Sequence, residues 1–367
     1  MTDSHAVHHR SLNVADFAMP HGREEAWRFS PLASLKPLLE DAPSSGRLQT
    51  DAVLPDGAQL QSLDAQAARG RAVVPADRIA ALAVEHAQEP ALLRITSSTT
   101  EPVFVTLTGS GPDLAWTHLG IEVAAGVETT VIVEHKGSAQ VAEHLWVDIA
   151  DGAHLTLVLL QTWTDETVHA GQLGVRLGRD ATARTFTVTL GGRVVRLLHT
   201  VDYAAPGADI ELWGLYFADA GQHLEHRLFV DHSQPHCRSK VEFKGAVTGA
   251  DAHAVWVGDV LIRADAVGTD TYEINRNLVL SDGARADSVP NLEIETGEVA
   301  GAGHASTTGR FDDEQLFYLQ SRGIPAAEAR RMVVRGFFAD LIGRITVPEL
   351  RERLNAAITA ELGEVAQ

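Results

Sequence analysis

A chain of 367 residues with 45% hydrophobic residues can support a large core and more than one domain, which excludes a globally disordered protein. Its formal charge of −19 argues against nucleic acid or an anionic membrane as the main partner, since both demand clustered Lys and Arg. One cysteine, Cys237, excludes an intramolecular disulfide framework and any multi-cysteine metal or cluster site built by this chain alone, and no apolar run approaches the ~20 residues that span a bilayer.

The first residues, MTDSHAVHHRSLNVADF, lack a basic region followed by an apolar run, so no secretory leader is expected and the chain reads as cytoplasmic. Residues 1–92 read as helical or loose. Within them, GREEAWRFSPLASLKPLLE offers a docking face of Trp27, Phe29, Leu32, Leu35, Leu38 and Leu39, with Pro31 and Pro37 expected to break it into short pieces. Composition between Asp41 and Gly70 is loop-like.

From about Ala91 the chemistry becomes that of strands. Segments such as HLTLVLLQTW, RTFTVTL, DIELWGLYF, HLEHRLFVDH and HAVWVGDVLIRAD are short, alternating and β-branched. Turns with a glycine beside small or acidic residues recur at Gly126, Gly152, Gly178, Gly207, Gly249 and Gly283. Their spacing of 26, 26, 29, 42 and 34 residues, with no helix between strands, predicts stacked coils, a parallel β-helix over 93–310. A β-sandwich is the structural alternative.

Residues 311–367 turn helical. One helix is expected to bury Ala329, Val333, Gly336, Phe337 and Leu341, and a last one Leu350, Leu354, Ala357 and Ile358; Phe337 and Phe338 cannot both face one core. From Gln320 onward seven arginines meet six acids, so this tail carries +1 and the remainder −20.

Three features carry candidate chemistry. GAGHASTTGR places His304 among small residues; the third glycine of a dinucleotide loop and the Gly-Lys-Ser/Thr of a P-loop are both missing. That leaves a metal or cluster ligand, or a tight turn with an incidental histidine. HRLFVDHSQPHC brings His232, His236 and Cys237 close in sequence as a weaker metal alternative, balanced by solvated or stacked histidines. Glu225, Asp231 and Asp259 could serve a lyase or hydrolase working in a β-helix groove, although no spacing singles out a catalytic pair.

The runs LFVDHSQPHCRSKVEFKGAV and TYEINRNLVLSDGARADSVPNLEIETGEVAGAGHASTTGRFDDEQLFYLQSRGI, followed by ARRMVVRGF, closely resemble the SufB/SufD family of iron–sulfur cluster assembly proteins, its SufD branch most of all. The likeness is strong over about Phe229 to Ile345 and weaker at GREEAWRFSPL. It implies a right-handed β-helix between N-terminal and C-terminal helical domains, and a non-catalytic scaffold rather than an enzyme. It further implies a SufB-like paralogue as partner and a SufC-like ABC ATPase, which carries the ATP, docked on the C-terminal helices around Tyr318, Arg322, Arg335 and Phe337. A transient iron–sulfur cluster would form at the paralogue interface with His304 as this chain's ligand. The resemblance also allows a reduced flavin in the assembly and a homodimer of the isolated chain. One departure matters: Ala302 stands where many family members carry a cysteine two residues before the histidine.

Overall fold

Ten-residue strands with alternating apolar residues bury one face only by meeting another such face, and strands apolar on both sides need cover on both. The computed structural model of this chain, which describes residues 9–71, 73–310 and 313–364, satisfies both demands with a parallel β-solenoid. Its strands are β1 Gln49–Val53, β2 Ala58–Ser62, β3 Ala91–Ile95, β4 Val103–Val123, β5 Glu128–Ile149, β6 His154–Trp163, β7 Val168–Leu177, β8 Thr182–Thr189, β9 Val194–Tyr203, β10 Asp209–Ala218, β11 His223–His232, β12 Arg238–Val247, β13 His253–Ile262, β14 Asp270–Val279, β15 Arg285–Ile294 and β16 Gly301–Arg310. The helices are α1 Leu32–Leu39, α2 Ala65–Arg69, α3 Arg78–His86, α4 Asp313–Ser321, α5 Ala326–Gly343 and α6 Pro348–Glu364.

Two ladders make the coils. One runs β5-β7-β9-β11-β13-β15 and the other β5-β6-β8-β10-β12-β14-β16, while the long strands β4 and β5 pair side by side and run through both. With β4 and β5 counted once in each ladder, there are about eight turns. The register keeps each inward position above its equivalent in the next coil. One such column is Val131, Leu157, Thr185, Leu212, Val241, Glu273 and His304. Apolar inward columns form the main core, from Val103 and Val131 to Val260 and Ile262.

The turn glycines explain the uneven sequence period. Gly126, Gly152, Gly207, Gly249 and Gly283 all adopt positive φ, whereas in the Gly178 turn Asp180 takes that role with φ 52°. Gly207 joins β9 to β10 and Gly249 joins β12 to β13, so they lie at opposite corners of the coil. The 42-residue interval is therefore a coil and a half. At the same corner as Gly207, between β11 and β12, His236 supplies the left-handed residue with φ 58°.

Residues 41–70 are not merely loop. β1 pairs antiparallel with β4 and β2 with β3, closing the N-terminal end of the solenoid. The outer face of the odd-numbered ladder is covered by α1 and α3, with Trp27, Leu35, Leu38, Leu39, Ile79 and Leu82 packed against Trp116, Ala142 and Val194. Pro37 sits inside α1 rather than ending it. Arg196 anchors this cover: its guanidinium lies 3.9 Å from the Trp27 ring centroid and bonds Asp77, which caps α3.

The opposite outer face is covered by α5 and α6. Phe338, Leu341, Ile342, Leu354 and Ile358 pack on Val158, Phe186, Trp213 and Phe217. The buried stripe of α5 is Ala329, Val334, Phe338, Leu341 and Ile342, one residue on from the expected Val333, Gly336 and Phe337. The shift follows from bulk: the rotated face carries Phe338 and Ile342, and it leaves Gly336 outside.

Large rings inside the solenoid fit over glycines of the adjacent coil. A Cβ on Gly245 would fall 1.8 Å from the Tyr216 ring, and one on Gly214 would fall 2.0 Å from the Phe243 ring. Gly245→Ala should therefore destabilise the fold by about 1–3 kcal/mol through overpacking. Chemical denaturation measures this, and an unchanged midpoint would contradict the packing.

Candidate functional site

Stacking positions every inward residue except those of the last coil, which has no coil beyond it. β16 pairs only with β14 and β15 only with β13, so among the described residues both have a free ladder edge at the C-terminal end. This is where GAGHASTTGR lies. It is a strand and not a tight turn, because the small residues that suggested a turn pair residue by residue from Asp270↔Gly301 to Val279↔Arg310. Alternation turns Ala302, His304, Ser306 and Thr308 to the inner side.

His304 stands directly above Glu273 in the same column, with Nδ1 3.9 Å from Oε1. The two side chains differ sharply in exposure, 43% for His304 and 1% for Glu273. Both carboxyl oxygens of Glu273 are buried with no hydrogen bond of good geometry among the described residues, the backbone N–H of Asn291 making only a weak approach. Leaving a polar group so costs about 1–3 kcal/mol, more if it is charged. Burial, then the nearby charge of Asp259, push Glu273 up to about 8 against a smaller opposing pull from the Asn291 amide. The carboxyl occupies the space over Gly258, where a Cβ would lie 2.4 Å from Oε2. Its neighbours on β14 are satisfied: Asn275 donates to Tyr216 and to the Phe243 carbonyl, and Asn277 donates to Asn275.

The other sequence candidates lie elsewhere. His232 ends β11 in the core, stacked on Tyr203 at 4.7 Å and hydrogen-bonded to Ser239, and burial pushes its imidazole down to about 3. His236 is the corner residue, and Cys237 is buried beside it with a thiol raised by burial. The structure does not gather these three into a ligand set, because the corner turns His236 out of the strand alternation on which their convergence depended. A different group is gathered among the described residues: His135, Glu143 and His169, donor atoms within 4.8 Å of one another. Burial alone would raise Glu143, but the two imidazoles hold it well below the usual carboxylate range. Gln161 and Trp163 extend this network, which is sealed in the core. Its signal in the sequence was polar residues at inward positions, His135 and Glu143 on β5 and His169 on β7, as it was for Glu273 on β14.

The acids of the groove reading are committed to structure. Glu225 is buried against Arg227, Arg196 and Ser30; Asp231 takes a two-bond contact from Arg263; Asp259 accepts from Asn291. On the C-terminal helices, Phe317 is 72% exposed beside exposed Tyr318, whose hydroxyl accepts from Arg322 at 3.0 Å. Arg335 is exposed, and Phe337 is half-buried with its ring 5.4 Å from the Lys244 ammonium.

Fold and comparisons together define an iron–sulfur cluster assembly protein of β-solenoid architecture. The family model described as SUF system FeS cluster assembly, SufBD core domain, matches residues 105–337. Iron–sulfur cluster assembly SufBD family proteins of Mycobacterium bovis and Mycobacterium tuberculosis are each 51% identical over 363 residues, covering 96% of this chain and 91% of theirs. The iron–sulfur cluster assembly protein SufD of Escherichia coli is 29% identical over 78% of this chain and 67% of its own length. The chain belongs to the SufBD family. No helix among the described residues is long and apolar enough to cross a membrane.

The raised Glu273 carboxyl gives a signed pH dependence. A group raised from 4.5 to about 8 on folding contributes stability that is full below about 4.5 and lost as pH rises through about 8. Glu273→Gln should remove this descending component. In chelator-treated protein the variant gains on wild type as pH rises from about 5 to 9, read by denaturant unfolding. Parallel pH profiles would mean that Glu273 is not a buried neutral acid.

Proposed function

We propose that this chain is a non-catalytic scaffold subunit of a cytoplasmic iron–sulfur cluster assembly complex. Its open solenoid end pairs with a SufB-like paralogue, and a SufC-like ATPase docks on α4 and α5. The observation that carries this reading is the half-exposed inward imidazole of His304 on a last coil whose edge strands are unpaired among the described residues. Free parallel edges are templates for another chain, here the paralogue or, in its absence, a second copy. The transient cluster is cargo rather than a resident group. With Ala302 before His304 and Cys237 buried away from this end, thiolates would come from the partner, leaving the imidazole as the iron donor offered from here. ATP acts on the ATPase, and a reduced flavin would belong to the assembly. The right-handed coil sense implied by the resemblance belongs to the same reading.

Exposed Phe317, Tyr318 and Met332, with Arg322 and Arg335 nearby, support α4–α5 as the ATPase surface. The committed acids of the groove leave the lyase or hydrolase alternative without a catalytic pair.

His304→Ala in the assembled complex should lower iron and sulfide loading about tenfold while leaving the subunit folded and the complex intact. Normal loading would reduce the role to that of an adaptor tethering an ATPase.

A further inference from the structure

On β14 the inward residues Asn275 and Asn277 exhaust their hydrogen bonds on neighbours, and Glu273 alone does not. An acid that is 1% exposed, with neither oxygen in a hydrogen bond of good geometry, is a pair of buried lone-pair sites awaiting a proton or a cation. The group above it is the one imidazole of the last coil. We propose that Glu273 and His304 together form a metal site, one carboxylate oxygen and one imidazole nitrogen, for an iron(II)-like divalent cation at the open end of the solenoid. The inference rests on the reading of His304 as a donor and adds a second donor from this chain.

Geometry supports the pairing. An ion bound at about 2.0–2.2 Å to each donor spans up to roughly 4 Å between them, and the observed Nδ1···Oε1 separation is 3.9 Å. His304 is exposed enough to close that gap, while Glu273 is held by the coil around it. Mixed nitrogen and oxygen donors suit iron(II), manganese, cobalt or zinc, and favour them over calcium or magnesium. Two donors leave most of the coordination sphere open toward the coil end, which is the side a partner's ligands would approach. Gly258 has a defined part: a Cβ there would meet both Glu273 Oε2 and the Trp256 ring at 2.4 Å, so only glycine lets the carboxyl sit in this position.

The test uses the untagged full chain, stripped of metal and kept anaerobic, titrated with cobalt(II) alone and followed by its visible ligand-field bands. Wild type should show one site whose spectrum includes a nitrogen donor. Glu273→Gln and His304→Ala should each weaken it about tenfold or more, with both variants retaining the wild-type far-ultraviolet circular dichroism. If Glu273→Gln titrates like wild type while His304→Ala loses the site, the carboxylate is not a ligand; the inference falls and the scaffold reading stands. If both titrate like wild type, the inference falls again, and iron loading of the assembled His304→Ala complex judges the scaffold reading separately. Binding weakened equally by both, with loading of the assembled His304→Ala complex unaffected, would keep the metal site and remove it from cluster assembly.

Discussion

In-phase parallel stacking is the constraint on which this molecule depends. Because the ladder register carries Val131 onto Leu157 and onward to Glu273 and His304, every inward side chain is covered by the equivalent position of the next coil. A buried Val or Leu contributes about 1.5–3 kcal/mol relative to exposure, and the columns repeat that gain coil after coil. The same rule leaves the last coil uncovered. The column of Val131, Leu157, Leu212 and Val241, mostly apolar through the middle, becomes polar there with Glu273 and His304. An uncovered solenoid end must be polar to face water, and here the polar residues include an imidazole and a carboxyl.

Covering the two outer faces differs in chemistry. The N-terminal cover is fixed by buried charge: Arg196 between Trp27, Asp77 and Glu225, and Arg227 on Glu225. Removing one member would strand the others in a low-dielectric site, so the network enforces one docking geometry more than it adds stability. The C-terminal cover is mostly apolar, with Lys244 reaching Asp340 and Arg344 reaching Glu242 at its margin. On the side away from the sheet, Met332 of α5 is exposed, and α4 beside it exposes Phe317 and Tyr318.

Much of this architecture was legible in the sequence because period-2 alternation and glycine-bearing turns are local signals. The segments HLTLVLLQTW and HLEHRLFVDH are β6 and β11 end to end. β7 and β9 were not singled out, although they are buried on both faces no more completely than β11. β1 and β2 escaped because their exposed residues read as loop. The α5 stripe slipped by one residue for want of knowing which face the sheet would choose. At the site, His304 stood out by its small neighbours and gained weight from the family resemblance, while its strand conformation was hidden by glycine and alanine. Glu273 was quoted within TYEINRNLVL without being noticed: a lone acid in a strand becomes significant only when its partners are counted, and that count needs three dimensions.

The open coil end is the surface proposed to meet the paralogue. Hydrogen exchange of the β15 and β16 amides, compared in the free chain and after adding the paralogous subunit, tests it directly. Free ladder edges exchange fast, so the account predicts strong protection across Arg285–Ile294 and Gly301–Arg310 on complex formation. Unchanged exchange there, with protection appearing instead at β1 and β2, would place the interface at the other end and contradict the account.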